Sequence, residues 1–430
     1  MNNSVFFHTL GCRLNQAETA SLENSFESRG YAVVDSHSDA DIVVINTCTV
    51  TQHGDSDTRR LVGKIVRHNP HARIALVGCQ AQVQKEKLAK LPNVRWIVGN
   101  QRKMDLADVF NEYPNPNQAQ VIAPAIERKP FALPVAAVDR SHIRANIKIQ
   151  DGCDFFCSFC EIPYARGRAR SRIFDDIILE ARALAAAGHK EIVLTGINIG
   201  TYQNEGKGLL EVILALEKID DIKRIRISSI EPTTIPMAIV DLMGPGHKLC
   251  RYLHIPLQSG HDDILTAMKR KYSVKEFSEF VRMIRAKVPG ICIGTDVIVG
   301  FPGETDEHFA MTEGLVQELP IDYFHIFSYS PRHMAKSSAL DHGVGSFKIS
   351  QRSQILRDLS QRKRRLYYES LLGSVGSVIF EELKGDFWVG FTDNYVRIRL
   401  RSQENLSGQM RTVRLISVDE QYAEAEMYGL

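Results

Sequence analysis

From Val5 to Tyr329 this chain repeats one pattern, a short apolar run followed by a helix-like stretch, and three of the earliest runs end on a cysteine. Residues 5–10 lead into Gly11 and Cys12, residues 42–47 into Cys48, and residues 74–78 into Cys79. Helix-like stretches at 15–29 and 56–68 lie between them, and a fourth run, 94–99, carries no cysteine. Short apolar runs alternating with helices indicate a parallel sheet. The strands of such a sheet end at one edge, where open α/β folds bind ligands. Spacings of 36 and 31 residues therefore bring Cys12, Cys48 and Cys79 together, three thiolates with a fourth metal position open. Three small cysteines buried in strands are the alternative.

The pattern continues in the middle of the chain. Six strand-like runs, at 143–150, 191–196, 224–229, 252–257, 291–299 and 323–329, are separated by helices such as the Ala-rich one at 177–187. Eight such units close a full barrel, so six indicate a partial (βα)6 barrel. The chemistry of such barrels sits on the loops after the strands. Here those loops carry Thr195, Gly196, Asn198, Ser228, Ser229, Glu231, Gln258, Asp296, Ile298 and Tyr329. Glycine permits close backbone approach, and the hydroxyl, amide and carboxylate groups offer partners to a polar ligand. Any one of these loops is also ordinary turn chemistry.

After the first of the six runs comes Cys153-Asp154-Phe155-Phe156-Cys157-Ser158-Phe159-Cys160, a C-x3-C-x2-C spacing. Structural zinc takes four ligands, usually as two pairs, and no fourth Cys or His follows closely. Three thiolates and one open position fit a 4Fe-4S cluster with a free iron. Zinc completed from afar, or buried free thiols, are the alternatives. No apolar run approaches the roughly 20 residues that span a bilayer. The N-terminus, MNNSVFFHTLGCRLNQ, lacks the basic region and apolar core of a secretory signal. A cytoplasmic protein with no membrane partner is expected. Its eight cysteines then read as ligands or free thiols rather than disulfides, with Cys250 and Cys292 structural.

At 430 residues the chain needs two or three domains. We place an N-terminal α/β domain at 1–110, a linker with five prolines at 111–138, the barrel at 139–368 starting near Ser141, and a small β-rich domain at 369–430. Five strand-like runs in its roughly 55 residues suit a small antiparallel barrel of the oligonucleotide-binding kind. The net charge is only +2, so nucleic-acid contacts must come from local patches. Two are visible. Arg166, Arg168, Arg170 and Arg172 alternate just after the cysteine run, either as a solvated loop or as phosphate and carboxylate contacts. Arg397 and Arg399 put charge on one face of a strand near Tyr395, while Trp388 and Phe391 read as core.

These parts together resemble the methylthiotransferase family of radical S-adenosylmethionine (SAM) enzymes, over essentially the whole chain. The marks are Thr9-Leu10-Gly11-Cys12-Arg13-Leu14-Asn15, Asn46-Thr47-Cys48-Thr49-Val50, Val77-Gly78-Cys79 and Gln150-Asp151-Gly152-Cys153 through Cys160. The terminal barrel resembles the RNA-binding TRAM domain. The first motif and Tyr164-Ala165-Arg166-Gly167-Arg168-Ala169-Arg170-Ser171-Arg172 are closest to the MtaB branch, whose substrate is N6-threonylcarbamoyladenosine at position 37 of tRNA.

The resemblance implies a SAM-cleaving 4Fe-4S cluster on Cys153, Cys157 and Cys160, yielding a 5′-deoxyadenosyl radical, and a second, sulfur-carrying 4Fe-4S cluster on Cys12, Cys48 and Cys79. It implies that Phe159 and the ten loop residues above hold SAM, which also donates the methyl group. Substrate contacts are expected from Arg166, Arg168, Arg170, Arg172, Arg397 and Arg399, with Arg170 facing the threonyl carboxylate. Partners implied are tRNA, an electron donor such as flavodoxin or ferredoxin and a sulfur source; the default state is a monomer. One departure stands out. The family commonly has Gly-Thr after the Ser-Tyr-Ser-Pro-Arg motif, where this chain has His333-Met334. Rival readings are methylthiolation of isopentenyladenosine in tRNA, of an aspartate in a ribosomal protein, and a non-catalytic iron–sulfur RNA-binding protein.

Overall fold

The computed structural model describes residues 4–49, 52–135, 139, 142–340 and 343–429. Six parallel strands make the N-terminal sheet: β1 (Ser4–Thr9), β2 (Ala32–Val33), β3 (Ile42–Thr47), β4 (Arg73–Gly78), β5 (Val94–Val98) and β6 (Gln120–Ile122), in the order β2-β1-β3-β4-β5-β6. Side chains alternate across a strand, and β3 uses both faces. Ile42 and Val44 pack with Leu22 and Phe26 of α1 (Arg13–Ser28), while Val43 and Ile45 pack with Val62 and Ile65 of α2 (Gln52–His68). A strand apolar on both faces is stable only between two helical layers.

The central unit holds six parallel strands in chain order, Ala145–Lys148, Glu191–Thr195, Arg224–Ile227, Tyr252–His254, Cys292–Val299 and Tyr323–Ser328. They form two three-stranded ladders joined by bridges at Ile225–Leu249 and Ser229–His254, the open barrel expected from six repeats. One aliphatic core fills the space between these strands and their helices. The long helix Ser346–Glu369 then places Leu356 and Leu359 in that core and Tyr367 and Tyr368 in the core of the C-terminal barrel. No helix among the described residues is long and apolar enough to cross a membrane.

Five strands close the C-terminal barrel: Val375–Lys384, Phe387–Thr392, Arg397–Arg401, Met410–Val418 and Ala423–Met427. It is not wholly antiparallel, because the last strand crosses over to pair in parallel with Arg397–Arg401. The segment read as a linker also differs. Its residues 120–122 form β6 on the edge of the N-terminal sheet, and Phe131 bridges to Arg172. A three-residue strand between prolines is too short to show alternation. The expected barrel start at Ser141, and Val50 of the second cysteine motif, lie outside the described residues.

Candidate active site

Cys12 caps the start of α1, Cys48 follows β3, and Cys79 opens the short helix α3 (Cys79–Val83) directly after β4. Since β1, β3 and β4 are sheet neighbours with Thr9 opposite Asn46 and Thr47 opposite Gly78, the three cysteines share one edge. Two glycines in left-handed backbone make the approach possible. Gly11 has φ +93°, and a Cβ there would lie 2.6 Å from both Cβ and Sγ of Cys48; at Gly78, φ +96°, it would lie 2.5 Å from Oδ1 of Asn46. Asn15 ties the loops by donating from Nδ2 to the carbonyls of Leu10 (2.7 Å) and Thr47 (3.1 Å).

The barrel supplies the second trio. Cys153 binds backbone to backbone with Gly167, the amide of Cys160 donates to the carbonyl of Cys157, and Ser158 donates to the carbonyls of Met268 and Ala267. Both trios line one cavity of about 490 Å³. Burial pushes the thiol of Cys157 up, that of Cys153 to about 11 and that of Cys160 to about 12. Thiols so disfavoured as anions need a cation to become ligands. Part of that charge is built in: Arg270 Nη1 lies 3.3 Å from Cys157 Sγ, and Arg166 Nε lies 3.1 Å from Cys79 Sγ.

Beneath Cys79 the N-terminal and central units meet in a buried charge constellation. Arg166 reaches Glu18 and Asp151 at 3.0 Å and Oδ1 of Asn15 at 2.6 Å. Lys103 also pairs with Glu18, Lys148 with Glu18 and Asp151, and Arg170 with Asp151. Burial alone would raise the Glu18 and Asp151 carboxyls, but these cations hold both well below the usual carboxylate range. Four cations face two carboxylates, and the sulfur of Cys79 lies against one of the cations.

The same cavity is lined by Phe159, Thr195, Gly196, Asn198, Ser228, Ser229, Glu231, Gln258 and Asp296, gathered from four strand ends. Three of their buried polar atoms, Nδ2 of Asn198, Oγ of Ser228 and Oε1 of Gln258, have no protein partner. Asp296 is already held by Nε2 of His254 at 2.9 Å and Nδ1 of His325 at 3.3 Å. Burial would raise its carboxyl, yet the two imidazoles bring it below the usual range. Glu231 pairs with Arg270, but burial dominates and its carboxyl is raised. Ile298 and Tyr329 are not on the cavity; they pack around Phe159, so any effect they have on a ligand is indirect.

The arginines are placed differently from expectation. Arg172 is fully buried and paired with Asp176 and Glu180 inside the barrel, and Arg166 is fully buried in the charge constellation, so neither is free to meet a macromolecule. Arg170 lies against the ring of Phe131, bound to Asp151 and off the cavity wall, which removes it from the role of facing a substrate carboxylate. Arg168 is exposed, over the ring of Phe156. Arg399 is engaged by Asp419 and Glu424, whereas Arg397 lines a cavity of about 520 Å³ between the long helix and the C-terminal barrel, with Arg357 and Arg364. Spacing alone gave no sign of these pairings, because each partner lies on another element.

Residues outside the expected site also enter it. Tyr395 reaches in from the C-terminal barrel, stacks on Tyr252 at 4.3 Å and accepts a hydrogen bond from Arg13 at 3.3 Å. An outer cavity of about 980 Å³ shares Cys12, Arg13, Cys48 and His325 with the inner one and leads past Phe327 and Arg144. The atypical loop after Ser330 is structural: Arg332 is buried against Asp55, Thr49 and Glu161, and the Met334 amide donates to Glu161, locking the barrel to the N-terminal unit.

Two family models match, one over each of the two units that carry a cysteine trio. The family described as "Radical SAM superfamily" matches residues 147–316, and "Uncharacterized protein family UPF0004" matches residues 4–99. The chain is 34% identical over 435 residues to threonylcarbamoyladenosine tRNA methylthiotransferase MtaB of Bacillus subtilis, spanning 98% of this chain and 96% of that relative. To the protein of the same name from Aquifex aeolicus it is 37% identical over 412 residues, spanning 95% and 99%. The radical SAM methyltransferase TsrM from Kitasatospora setae, solved with cobalamin and a 4Fe-4S cluster bound, shares the fold, with TM-score 0.56, 17% identity and 77% of each chain covered.

Proposed function

The chain belongs to the radical SAM methylthiotransferase family, and from that premise we propose that it transfers a methylthio group to C2 of N6-threonylcarbamoyladenosine at position 37 of tRNA. One observation carries the reading: two three-cysteine sets from different domains line a single cavity. Radical SAM membership implies a 4Fe-4S cluster and SAM. Cys153, Cys157 and Cys160 would hold that cluster, three thiols with no fourth Cys or His close by in sequence, and an open position would suit SAM. Cys12, Cys48 and Cys79 would hold a second one, and the excess of cations beneath Cys79 suits an anionic group there. When bound, these groups supply one-electron chemistry, sulfur and a methyl group.

The chain's own residues bind, orient and exclude water. The unpartnered atoms of Asn198, Ser228 and Gln258 offer one donor, one hydroxyl and one acceptor to the polar groups of SAM. Arg270, fixed by Glu231, donates to Cys157 Sγ and offsets part of the burial that disfavours its thiolate. Phe155, Phe159, Ile162 and Val193 make an apolar wall that keeps water from a reactive radical. The C2–H bond of a purine is too weakly acidic for a side-chain base, and the two carboxylates lining the cavity among the described residues are both engaged, Asp296 by two imidazoles and Glu231 by Arg270.

Mass spectrometry of tRNA nucleosides tests the reading, in a host lacking this modification enzyme and supplied with the chain. The expected product is 2-methylthio-N6-threonylcarbamoyladenosine. A methylthio group on isopentenyladenosine or on a ribosomal protein instead would replace the substrate assignment. Cys12→Ala should retain SAM cleavage and lose the methylthio product; Cys157→Ala should lose 5′-deoxyadenosine formation. Full product from Cys12→Ala would remove the second cluster from the mechanism.

A further inference from the structure

Every cation lining the inner and outer cavities is matched by a carboxylate, with one exception. Arg144 pairs with Glu381, Arg166 with Glu18 and Asp151, Arg226 with Glu191, and Arg270 with Glu231. His142 faces Asp139, and His254 and His325 share Asp296. The acids on the outer wall are engaged too, Asp57 by Arg60 and Glu382 by Lys384. Arg13 alone has no carboxylate within ion-pair distance among the described residues, and it donates instead to the hydroxyl of Tyr395 at 3.3 Å.

Its position favours an anion. Arg13 is the first residue of α1, where the helix presents its positive end, and no acidic residue stands in that first turn. A part-buried guanidinium beside the mouth of the inner cavity, next in sequence to Cys12, is a fork aimed at an anion.

We propose that Arg13 is the specificity-determining residue that binds the carboxylate of the threonylcarbamoyl group. This rests on the reading of the substrate given above. The chemistry is consistent with the placement. C2 and C6 of the purine flank N1, so a substituent on N6 that extends past N1 ends on the C2 side of the ring. A base whose C2 faces the sulfur held near Cys12 therefore brings that carboxylate toward the neighbouring residue, Arg13.

The test uses the cluster-loaded full chain and a short anticodon-loop RNA labelled with a fluorophore. The RNA carries the threonylcarbamoyl group either as the free acid or as the neutral threoninamide. A charge-assisted hydrogen-bonded pair should make wild type prefer the acid by roughly tenfold in Kd, read by anisotropy. Arg13→Gln should bring the acid form down to the level of the amide, and Arg13→Lys should restore part of the preference. Three results overturn the proposal: wild type that binds acid and amide alike, Arg13→Gln that keeps the preference, or Arg13→Gln that weakens both forms equally with a shallower salt dependence, the sign of a phosphate contact. Failure of wild type to modify the acid RNA at all, read by mass spectrometry of the same reaction, would instead overturn the substrate reading together with this one.

Discussion

Replacing Arg166 by Met should loosen the joint between the N-terminal and central units without unfolding either. The arginine is fully buried and contacts Glu18 and Asn15 of α1, Asp151 of the barrel, and Cys79. Removing one partner of a buried ion pair costs about 3–5 kcal/mol when the other charge is stranded. Here neither carboxylate is stranded. Glu18 keeps Lys103 and Lys148, and Asp151 keeps Lys148 and Arg170. The cost is then that of several charge-assisted hydrogen bonds rather than of a stranded charge, about 3 kcal/mol, and at 1.4 kcal/mol per decade that is roughly a hundredfold in the opening equilibrium. Hydrogen exchange reads it directly: protection of amides in 13–28 and 145–151 should fall by roughly two decades. Labelling of Cys79, which is buried under the guanidinium, should accelerate in parallel. Arg172→Met is the control, since its partners Asp176 and Glu180 lie in one helix of the barrel and the loosening should centre on 174–186. Unchanged exchange in α1 together with unchanged Cys79 labelling in folded Arg166→Met would refute the idea that this constellation joins the units.

Gly11→Ala should lose roughly half the bound iron while keeping SAM cleavage, because the added Cβ meets Cys48 at 2.6 Å in a left-handed backbone; full iron content would contradict the close packing of that pair. Glu191 has its carboxyl lowered to about 2 from 4.5: burial opposes the shift, and Arg226, Arg144 and Arg224 outweigh it. A depressed folded value contributes stability that is present above pH 4.5 and lost as pH falls through 2, on the order of 3 kcal/mol. Urea unfolding of the metal-free chain should show that loss, and Glu191→Gln should flatten it; equal slopes for both would refute the assignment. Arg332→Met should speed limited proteolysis near residue 49, since that side chain bonds Thr49 and Asp55 across the domain boundary; an unchanged cleavage pattern would leave the loop without that role.

Much of the architecture was legible because it rests on local pattern. The apolar runs ending at Cys12, Cys48 and Cys79 became adjacent strands, and six repeats became six barrel strands, since strand periodicity and helix spacing are short-range properties. What escaped was of two kinds. β6 and the parallel pairing of the last barrel strand depend on few residues and on crossover geometry. The arginine run was read as a single patch, yet Arg166 and Arg172 turn inward and only Arg168 stays exposed, because burial depends on what stands opposite.

By itself the order of residues determined that two cysteine trios exist, and that one sits on a sheet edge and the other on a barrel loop. Only the tertiary structure decided that the two open onto one cavity, that Tyr395 from the far end of the chain helps to wall it, and that Arg13 has no counter-charge among the described residues. Spacing within one element follows from backbone geometry, whereas charge balance depends on side chains hundreds of residues apart, as in the contact of Arg13 with Tyr395, and exists only once the chain has folded.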